Sequence, residues 1–176
     1  MSETGAVRDP GTRPRVGVSS CLLGEPVRFN GGHSRCRFLT DELGPYVDWV
    51  PYCPEMEIGL GSPRETLRLT ADGHLVSRSG RDDHTTVMAA LPLPAGLDGY
   101  VFKAKSPSCG IHGIPRYAPS GQPSDHRGRG VFAERVMARF PLLPAEDEGR
   151  LNDAVLRFCE KHLRISLRNF QLPRHI

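Results

Sequence analysis

The chain has 176 residues, which is enough for one domain with a hydrophobic core and too few for two comfortable ones. Its 23 Lys and Arg against 20 Asp and Glu give a formal charge of +3, which tolerates a small anion or a nucleic acid and requires neither. No apolar run approaches the roughly 20 residues that cross a bilayer and no signal-peptide core precedes the domain, so we expect a cytoplasmic protein without membrane contact.

Strand and helix patterns alternate after a polar lead-in at 1–13, which we expect to be disordered, so that the domain covers 14–176. Valine-rich alternation predicts the strands, while Asp82 or Asp83 before an apolar run and Gly44 after one predict helix ends. The predicted elements in chain order are a strand at 15–20, a helix at 36–44, strands at 47–53 and 99–105 with a helix at 82–92 between them, a helix at 131–140, an edge strand at 141–146 and a helix at about 148–163.

Two longer segments contain turn residues without a clear period. Residues 54–82 predict irregular structure with at most a small hairpin around 74–77, and residues 114–130 predict a long polar loop with at most a short strand. In the rest of the chain, predicted strands alternate with predicted helices. This order is typical of a loop-rich, Rossmann-like α/β domain in which helices flank a mainly parallel sheet. In such sheets, ligands bind beyond the carboxyl ends of the strands.

Three of the five cysteines follow predicted strands, so a parallel sheet would bring Cys21, Cys53 and Cys109 to one edge. Cys36 lies in a charged run at the start of a helix, and Cys159 completes an apolar stripe on the last helix. Because disulfides rarely persist in the cytosol, metal ligation and catalysis become stronger candidate roles for these cysteines. On spacing alone, packed thiols, a metal or cluster site and a catalytic thiol all remain open.

The kind of metal site is constrained by what the cysteines lack. The sequence contains no CxxC pair, whereas structural zinc often uses one and usually has four protein ligands. Three thiolates suit an iron–sulfur cluster in which one iron lacks a protein ligand.

Separated motifs carry a family resemblance. In their order and spacing they resemble the thiouracil desulfidase (TudS) family over roughly 14–145. The motifs are SSCLLGEPVRFNG at 19–31, CPE at 53–55, GLGSPR at 59–64 and SPSCG at 106–110.

Three later segments resemble more closely the desulfidase domain of the RudS-type thiouridine desulfidases, namely RDDHT at 81–85, GYVFKAKSPSCG at 99–110 and the segment 130–151. Those proteins act on 4-thiouridine in transfer RNA and carry an additional C-terminal domain. This chain stops where that domain would begin. We therefore expect a free thiolated base or nucleoside in preference to intact RNA.

The resemblance implies a 4Fe-4S cluster held by Cys21, Cys53 and Cys109, with the fourth iron open to the sulfur of the substrate. It also implies Lewis-acid chemistry, in which water adds to the ring carbon, the C–S bond breaks and sulfur leaves as sulfide. Glu55 is the implied general base and proton shuttle, and Ser106 the implied partner of the ring or the water. From the residues alone, Glu55 could instead cap a turn and Ser106 could be an ST-turn residue.

Four further residues are candidate substrate contacts, namely Arg28, Asn30, Arg64 and Ser108. Either arginine could neutralise thiolate charge or orient a carbonyl, or be an ordinary surface residue. Many relatives have Tyr-Asp-Gly where this chain has Phe-Asn-Gly, so Asn30 can form hydrogen bonds but cannot replace an aspartate as a base. No role is assigned to His33, His84, Lys103 and Lys105, although strand alternation turns one of the two lysines inward.

The leading hypothesis is an iron–sulfur-dependent desulfidase that converts a small thiolated pyrimidine, of the thiouracil or thiouridine class, to the oxo base and sulfide. One alternative is a desulfidase that acts on thiolated transfer RNA through the basic loop 124–137. Another is a non-catalytic iron–sulfur or zinc module that binds RNA or protein. We expect a monomer or a weak dimer.

Overall fold

The structure is a computed structural model that describes residues 13–153. The expected disorder of the lead-in, the Cys159 stripe and most of the predicted last helix concern residues 1–12 and 154–176, outside the described part. Within 13–153, no helix is long and apolar enough to cross a membrane.

Eight strands and four α-helices follow one another along the described chain. The strands are β1 (Arg15–Ser19), β2 (Asp48–Tyr52), β3 (Leu67–Thr70), β4 (Leu75–Ser77), β5 (Gly99–Phe102), β6 (Ile114–Tyr117), β7 (Pro123–Gly128) and β8 (Ala145–Asp147). The helices are α1 (Pro54–Glu57), α2 (Thr85–Ala90), α3 (Val131–Arg139) and α4 (Glu148–Asp153).

The first sheet is parallel throughout, with strand order β2-β1-β5-β8. Strand β1 lies at its centre and pairs from Arg15↔Asp48 to Ser19↔Tyr52 with β2. All residues of β5 are buried, as is expected of a parallel strand that is covered on both faces. The predicted α/β fold with a mainly parallel sheet is confirmed.

The second sheet is mixed, with strand order β4-β3-β6-β7. Strand β4 forms the hairpin expected around 74–77, pairing antiparallel with β3. The prediction of a polar loop at 114–130 was wrong in extent, because β6 and β7 form an irregular hairpin there. The prolines and charged residues of this hairpin interrupt the apolar alternation by which strands are recognised in a sequence. The cross-strand ion pair of Arg116 with Asp125 supports the pairing of β6 with β7.

Two predicted helices differ from the observed ones. Residues Phe38–Leu43 form a π-helical turn that continues into a 3-10 turn, Gly44–Tyr46, and Gly44 has right-handed dihedrals, so it does not end the helix as predicted. Helix α2 begins at Thr85, whose backbone N–H donates to Asp83 Oδ1 at 2.8 Å.

Apolar side chains form two core clusters. The first contains Tyr100, Phe102 and Phe132 and includes Cys109. The second contains Val18 and residues around it, and it includes Cys21 and Cys36. Two of the three cysteines that follow strands therefore belong to different clusters.

Candidate active site

Three thiols lie at the carboxyl ends of adjacent parallel strands. Cys21 is in the 3-10 turn Ser20–Leu23 directly after β1, and Cys53 directly follows β2. Cys109 lies in the turn after β5, the neighbour of β1 on the other side. Cys21 and Cys109 are buried, Cys53 is partly buried, and all three are free thiols. Parallel pairing thus brings residues that are distant in sequence to one edge of the sheet.

Burial raises the pKa of each of these thiols. The pKa of Cys21 rises to about 11, although the Lys103 ammonium opposes the rise. Burial also raises the pKa of Cys53, and it raises that of Cys109 well above the ordinary value, helped by the negative charges of Glu55 and Cys53. Because ionisation of one thiol disfavours that of its neighbours, three thiolates together require a compensating positive group. A thiolate-ligated metal group meets this requirement.

A separate group of side chains, away from the thiols, has the spacing of a single-ion site. Within 13–153, the one set of three His, Cys, Asp or Glu ligand atoms that all lie within 4.8 Å of one another is that of His112, Glu146 and Asp147. Sulfur ligands about 2.3 Å from one tetrahedral zinc lie within roughly 4 Å of each other. The three thiols are not part of this set.

Local backbone structure places Cys53 at the start of a helix. Pro54 occupies the first turn of α1 and Cys53 is the extended residue before it. The backbone N–H groups of Met56 and Glu55 form hydrogen bonds with the Cys53 sulfur that favour the thiolate, in opposition to burial.

The hydroxyls of Ser106 and Ser19 take part in the hydrogen bonds that hold the Cys109 turn. Ser106 Oγ accepts the N–H of Ser108 at 3.2 Å and of Cys109 at 3.1 Å, which is the ST-turn alternative for this residue. Ser19 Oγ accepts the N–H of Lys103 at 2.9 Å, and a hydrogen bond between Ser19 and Cys109 lowers the pKa of that thiol. Ser106 therefore has a structural use, and its hydroxyl proton is still available to donate.

Close backbone packing behind the turn requires two glycines. A Cβ at Gly110 would lie 2.8 Å from Ser106 O, and a Cβ at Gly130 would lie 2.5 Å from the carbonyl of Ser108. The N–H of Gly130 donates to Gly110 O at 2.7 Å. These contacts join the start of α3 to the cysteine loop.

A carboxylate, an arginine and a serine form one network beside the thiols. Glu55 Oε2 accepts the Arg64 Nε–H at 2.8 Å and also pairs with Nη2, while Glu55 Oε1 accepts the Ser108 hydroxyl at 2.7 Å. The side chains of Arg64 and Glu55 are 7% and 14% exposed, and Ser108 is fully buried. The network is thus largely shielded from water, and the charge of Glu55 acts on Cys53 and Cys109.

Arg28 and Asn30 lie in the loop after Cys21. The Arg28 guanidinium lowers the pKa of Cys21, and it lies 5.7 Å from the ring centroid of Phe29. Asn30 is exposed, and its Oδ1 accepts the N–H of Gly32 at 3.1 Å, so it shapes the turn. Ser62 Oγ donates to Arg28 O at 2.8 Å, which joins this loop to the one that carries Arg64.

Lys103 lies at the candidate site. Sequence analysis did not decide whether Lys103 or Lys105 faces inward. Lys103 forms an ion pair with Glu148, and the side chains are 19% and 12% exposed, whereas Lys105 is exposed with a φ of 60°. Glu148 Oε2 also accepts the N–H of Ala104 at 2.6 Å. The expectation from strand alternation does not apply, because β5 ends at Phe102 and both lysines lie beyond it, so only the structure identifies Lys103 as the inward lysine.

A separate cleft of about 480 Å³ lies beside the hairpin of β6 and β7. Its lining includes Arg116, Arg127 and Arg129 but none of the three thiols or the Glu55 network. Asp125 holds Arg116 in two hydrogen bonds, and Glu134 pairs with Arg129 at 3.0 Å. The cleft therefore presents oriented guanidinium groups to solvent.

The fold and the site together define an α/β protein with three buried thiols and a carboxylate network at the carboxyl edge of its parallel sheet. The model of the 2-thiouracil desulfurase family matches residues 16–148. The chain belongs to this family of enzymes, so the resemblance inferred from the motifs is confirmed.

Two individual proteins are similar to this chain over most of their own length. The uncharacterized protein YbbK of Bacillus subtilis (strain 168) is 30% identical over 154 residues, covering 77% of this chain and 97% of that protein. The solved structure of the [4Fe-4S]-dependent thiouracil desulfidase TudS superposes with a TM-score of 0.62 at 28% identity, covering 82% of this chain and 97% of TudS.

Proposed function

We propose that this protein is an iron–sulfur-dependent desulfidase that removes sulfur from a thiolated pyrimidine, of the thiouracil or thiouridine class, to give the oxo base and sulfide. Family membership and the likeness to TudS support the reaction class. The observation that carries the proposal is the position of Cys21, Cys53 and Cys109 at three adjacent strand ends, beside the network of Glu55.

The residues present fit a [4Fe-4S] cluster held by these three cysteines. They provide three soft donors at adjacent strand ends and nearby positive charge from Lys103 and Arg28. When bound, such a cluster supplies an iron without a protein ligand, a soft Lewis acid that prefers a thiocarbonyl sulfur to a carbonyl oxygen. We propose the cytoplasm as the compartment, since its reducing conditions keep thiols available.

We propose Glu55 as the general base and proton shuttle. One of its oxygens is held by the Ser108 hydroxyl and the other by Arg64, so the carboxylate has a fixed position beside two of the thiols. In this role Glu55 takes a proton from the attacking water and returns it to the departing sulfur. Arg64 and Ser108 position the carboxylate, as well as being candidate substrate contacts.

Arg28 and Ser106 are the proposed contacts of the substrate ring. The Arg28 charge acts on Cys21, so the guanidinium is placed to complement negative charge that develops near that thiol. The Ser106 hydroxyl can donate to the ring or the water while its oxygen holds the Cys109 turn. Asn30 contributes by shaping the Arg28 loop, since its amide oxygen binds the N–H of Gly32.

The test is sulfide release from 2-thiouracil by anaerobically prepared protein. Cys21→Ala, Cys53→Ala and Cys109→Ala should abolish release, whereas Cys36→Ala, which changes another buried cysteine, should retain it. Equal release by the native chain and by all three ligand variants would exclude the proposed site.

A second candidate substrate is thiolated transfer RNA, and the arginine-lined cleft is the observation that favours it. Guanidinium groups bind phosphates, and such binding weakens steeply with salt. If RNA is the substrate, Arg127→Gln should weaken turnover of thiolated transfer RNA but not of 2-thiouracil. Arg81→Gln, an exposed arginine outside the cleft, is the matched control. If 2-thiouracil is turned over and thiolated transfer RNA is not, the substrate is the small pyrimidine.

A further inference from the structure

The Tyr100 hydroxyl is buried without a partner. Tyr100 is 2% exposed, and its Oη is one of three buried side-chain polar atoms among the described residues that form no hydrogen bond. An unsatisfied buried hydroxyl costs free energy, because water would have solvated it in the unfolded chain. Phenylalanine would fill the same space without that cost, so the hydroxyl needs another explanation.

The aromatic ring has a fixed position in the core cluster that also contains Cys109. It stacks on Phe102 with a centroid distance of 4.1 Å and meets Phe132 edge-on at 6.2 Å. Gly17 of the neighbouring strand accommodates the ring, since a Cβ there would lie 2.4 Å from Tyr100 Cδ2. The orientation of the hydroxyl therefore follows from packing on three sides.

Two observations connect this hydroxyl with the sulfur site. Tyr100 and Cys109 belong to the same core cluster. Burial raises the pKa of Tyr100 well above its usual value, and the negative charges of Cys109, Tyr52 and Cys53 raise it further. The neutral phenol, which is a hydrogen-bond donor, is the form that this environment favours.

We propose that the Tyr100 hydroxyl donates a hydrogen bond to sulfur in the cluster site, either an inorganic sulfide or a cysteine thiolate of the bound [4Fe-4S] cluster. This inference rests on the proposed function, because it requires the cluster. Hydrogen bonds to the sulfurs tune the reduction potential of iron–sulfur clusters and belong to the surroundings that determine how a metal is held. Tyr100 is then a donor to the cofactor, and no proton transfer is assigned to it.

Tyr52 provides a matched control. It immediately precedes Cys53 and its ring stacks on Phe132 at 5.0 Å, so it belongs to the same aromatic group. Its hydroxyl already donates to Pro92 O at 3.1 Å. Tyr100→Phe and Tyr52→Phe therefore each remove one hydroxyl oxygen from neighbouring rings. The Tyr100 hydroxyl has no partner in the protein, whereas the Tyr52 hydroxyl has a backbone partner.

The experiment compares full-length native protein, Tyr100→Phe and Tyr52→Phe after anaerobic reconstitution with iron and sulfide. Resonance Raman spectra in H₂O and D₂O, the midpoint potential and the rate of iron release to a chelator are measured, together with thermal unfolding of the apoproteins. We expect Tyr100→Phe to lose the deuterium sensitivity of an Fe–S band, to shift the potential to more negative values and to release iron roughly tenfold faster, as a lost hydrogen bond to a charged group would cause. Its apoprotein should be at least as stable as the native one, and Tyr52→Phe should match the native protein in all cluster properties.

The outcomes separate the two proposals. If the cluster assembles and Tyr100→Phe matches the native protein in Raman spectrum, potential and iron release, the Tyr100 proposal is wrong while the proposed function stands. If both tyrosine variants change the cluster alike, the effect is one of packing and the Tyr100 proposal is again wrong. If no protein holds a cluster, both proposals fail.

Discussion

Ser108 Oγ donates a 2.7 Å hydrogen bond to Glu55 Oε1. The two residues follow different strands of the parallel sheet, and each lies within two residues of a cysteine of the site, Cys109 and Cys53 respectively. Because Ser108 is fully buried and Glu55 is also paired with Arg64, the carboxylate is held at both oxygens. This contact joins the loop of one thiol to that of another.

Glu55→Gln should keep the fold and the cluster but lose turnover, because the amide cannot accept a proton from water. Loss of a positioned general base lowers rates by about a hundredfold to ten-thousandfold. The measurement is kcat for sulfide release together with iron content. Glu57→Gln, on the exposed side of the same helix, should behave as the native protein. Native kcat in Glu55→Gln would remove this residue from the mechanism.

The two serines of the cysteine loop should give different phenotypes. Ser106→Ala removes the acceptor of two backbone N–H groups, including that of Cys109, so it should lower the free energy of unfolding by about 1–3 kcal/mol and speed iron loss. Ser108→Ala should mainly lower kcat, because it releases one oxygen of Glu55. Chemical denaturation and iron-release rates distinguish the two, because loss of the proposed ring contact of Ser106 should lower kcat as well. Rapid iron loss in Ser108→Ala and none in Ser106→Ala would reverse the assignment.

Gly17→Ala should destabilise the protein by about 1–3 kcal/mol, the typical cost of forcing an extra carbon into a packed core. The new Cβ would lie 2.4 Å from Tyr100 Cδ2 and 2.8 Å from Leu97 Cδ1, so the ring must move. Gly99→Ala on the adjacent strand is the control, since its nearest neighbour would be Pro144 O at 3.4 Å. Denaturant unfolding of the two apoproteins tests the difference, and equal stabilities would contradict this packing.

The surface pair of His74 and Asp83 should give stability a defined pH dependence. Their side chains lie 2.7 Å apart, and the hydrogen bond that His74 donates to Asp83 raises the pKa of His74. Hydrogen bonds with Thr85 and His74 lower the pKa of Asp83 to about 2. The His74 contribution is therefore full below its unfolded pKa near 6.5 and is lost as pH rises through the higher folded value. The Asp83 contribution is present above 3.8 and is lost as pH falls towards 2. NMR titration should show a lower pKa of His74 in Asp83→Asn, and an unchanged value would refute the coupling.

The parts of the fold that could be predicted were those with a local pattern. The valines of β1 and the apolar run of α3 produced clear periods, so their bounds are within one residue of those predicted. The β6–β7 hairpin escaped prediction because Pro115, Pro123 and several charged residues interrupt alternation, and its pairing depends on contacts with another strand. The π-helical turn before Gly44 has no recognisable sequence period.

For the site, the strand-to-loop positions predicted that Cys21, Cys53 and Cys109 would lie at one edge of the sheet, because parallel strands place their carboxyl ends together. That these cysteines hold a metal group stays a prediction. The network of Glu55, Arg64 and Ser108 could not be derived from spacing, since it depends on side-chain direction across helix α1 and two loops. Tyr100 resembled an ordinary core residue in the sequence. Only its buried hydroxyl without a partner distinguishes it.

The most direct test of the account is the content of iron and acid-labile sulfide per chain in protein purified without air. We predict about four of each for a [4Fe-4S] cluster, with the same content in Cys36→Ala and neither element retained in Cys21→Ala, Cys53→Ala or Cys109→Ala. A chain that released sulfide from 2-thiouracil while holding zinc or no metal would contradict the account.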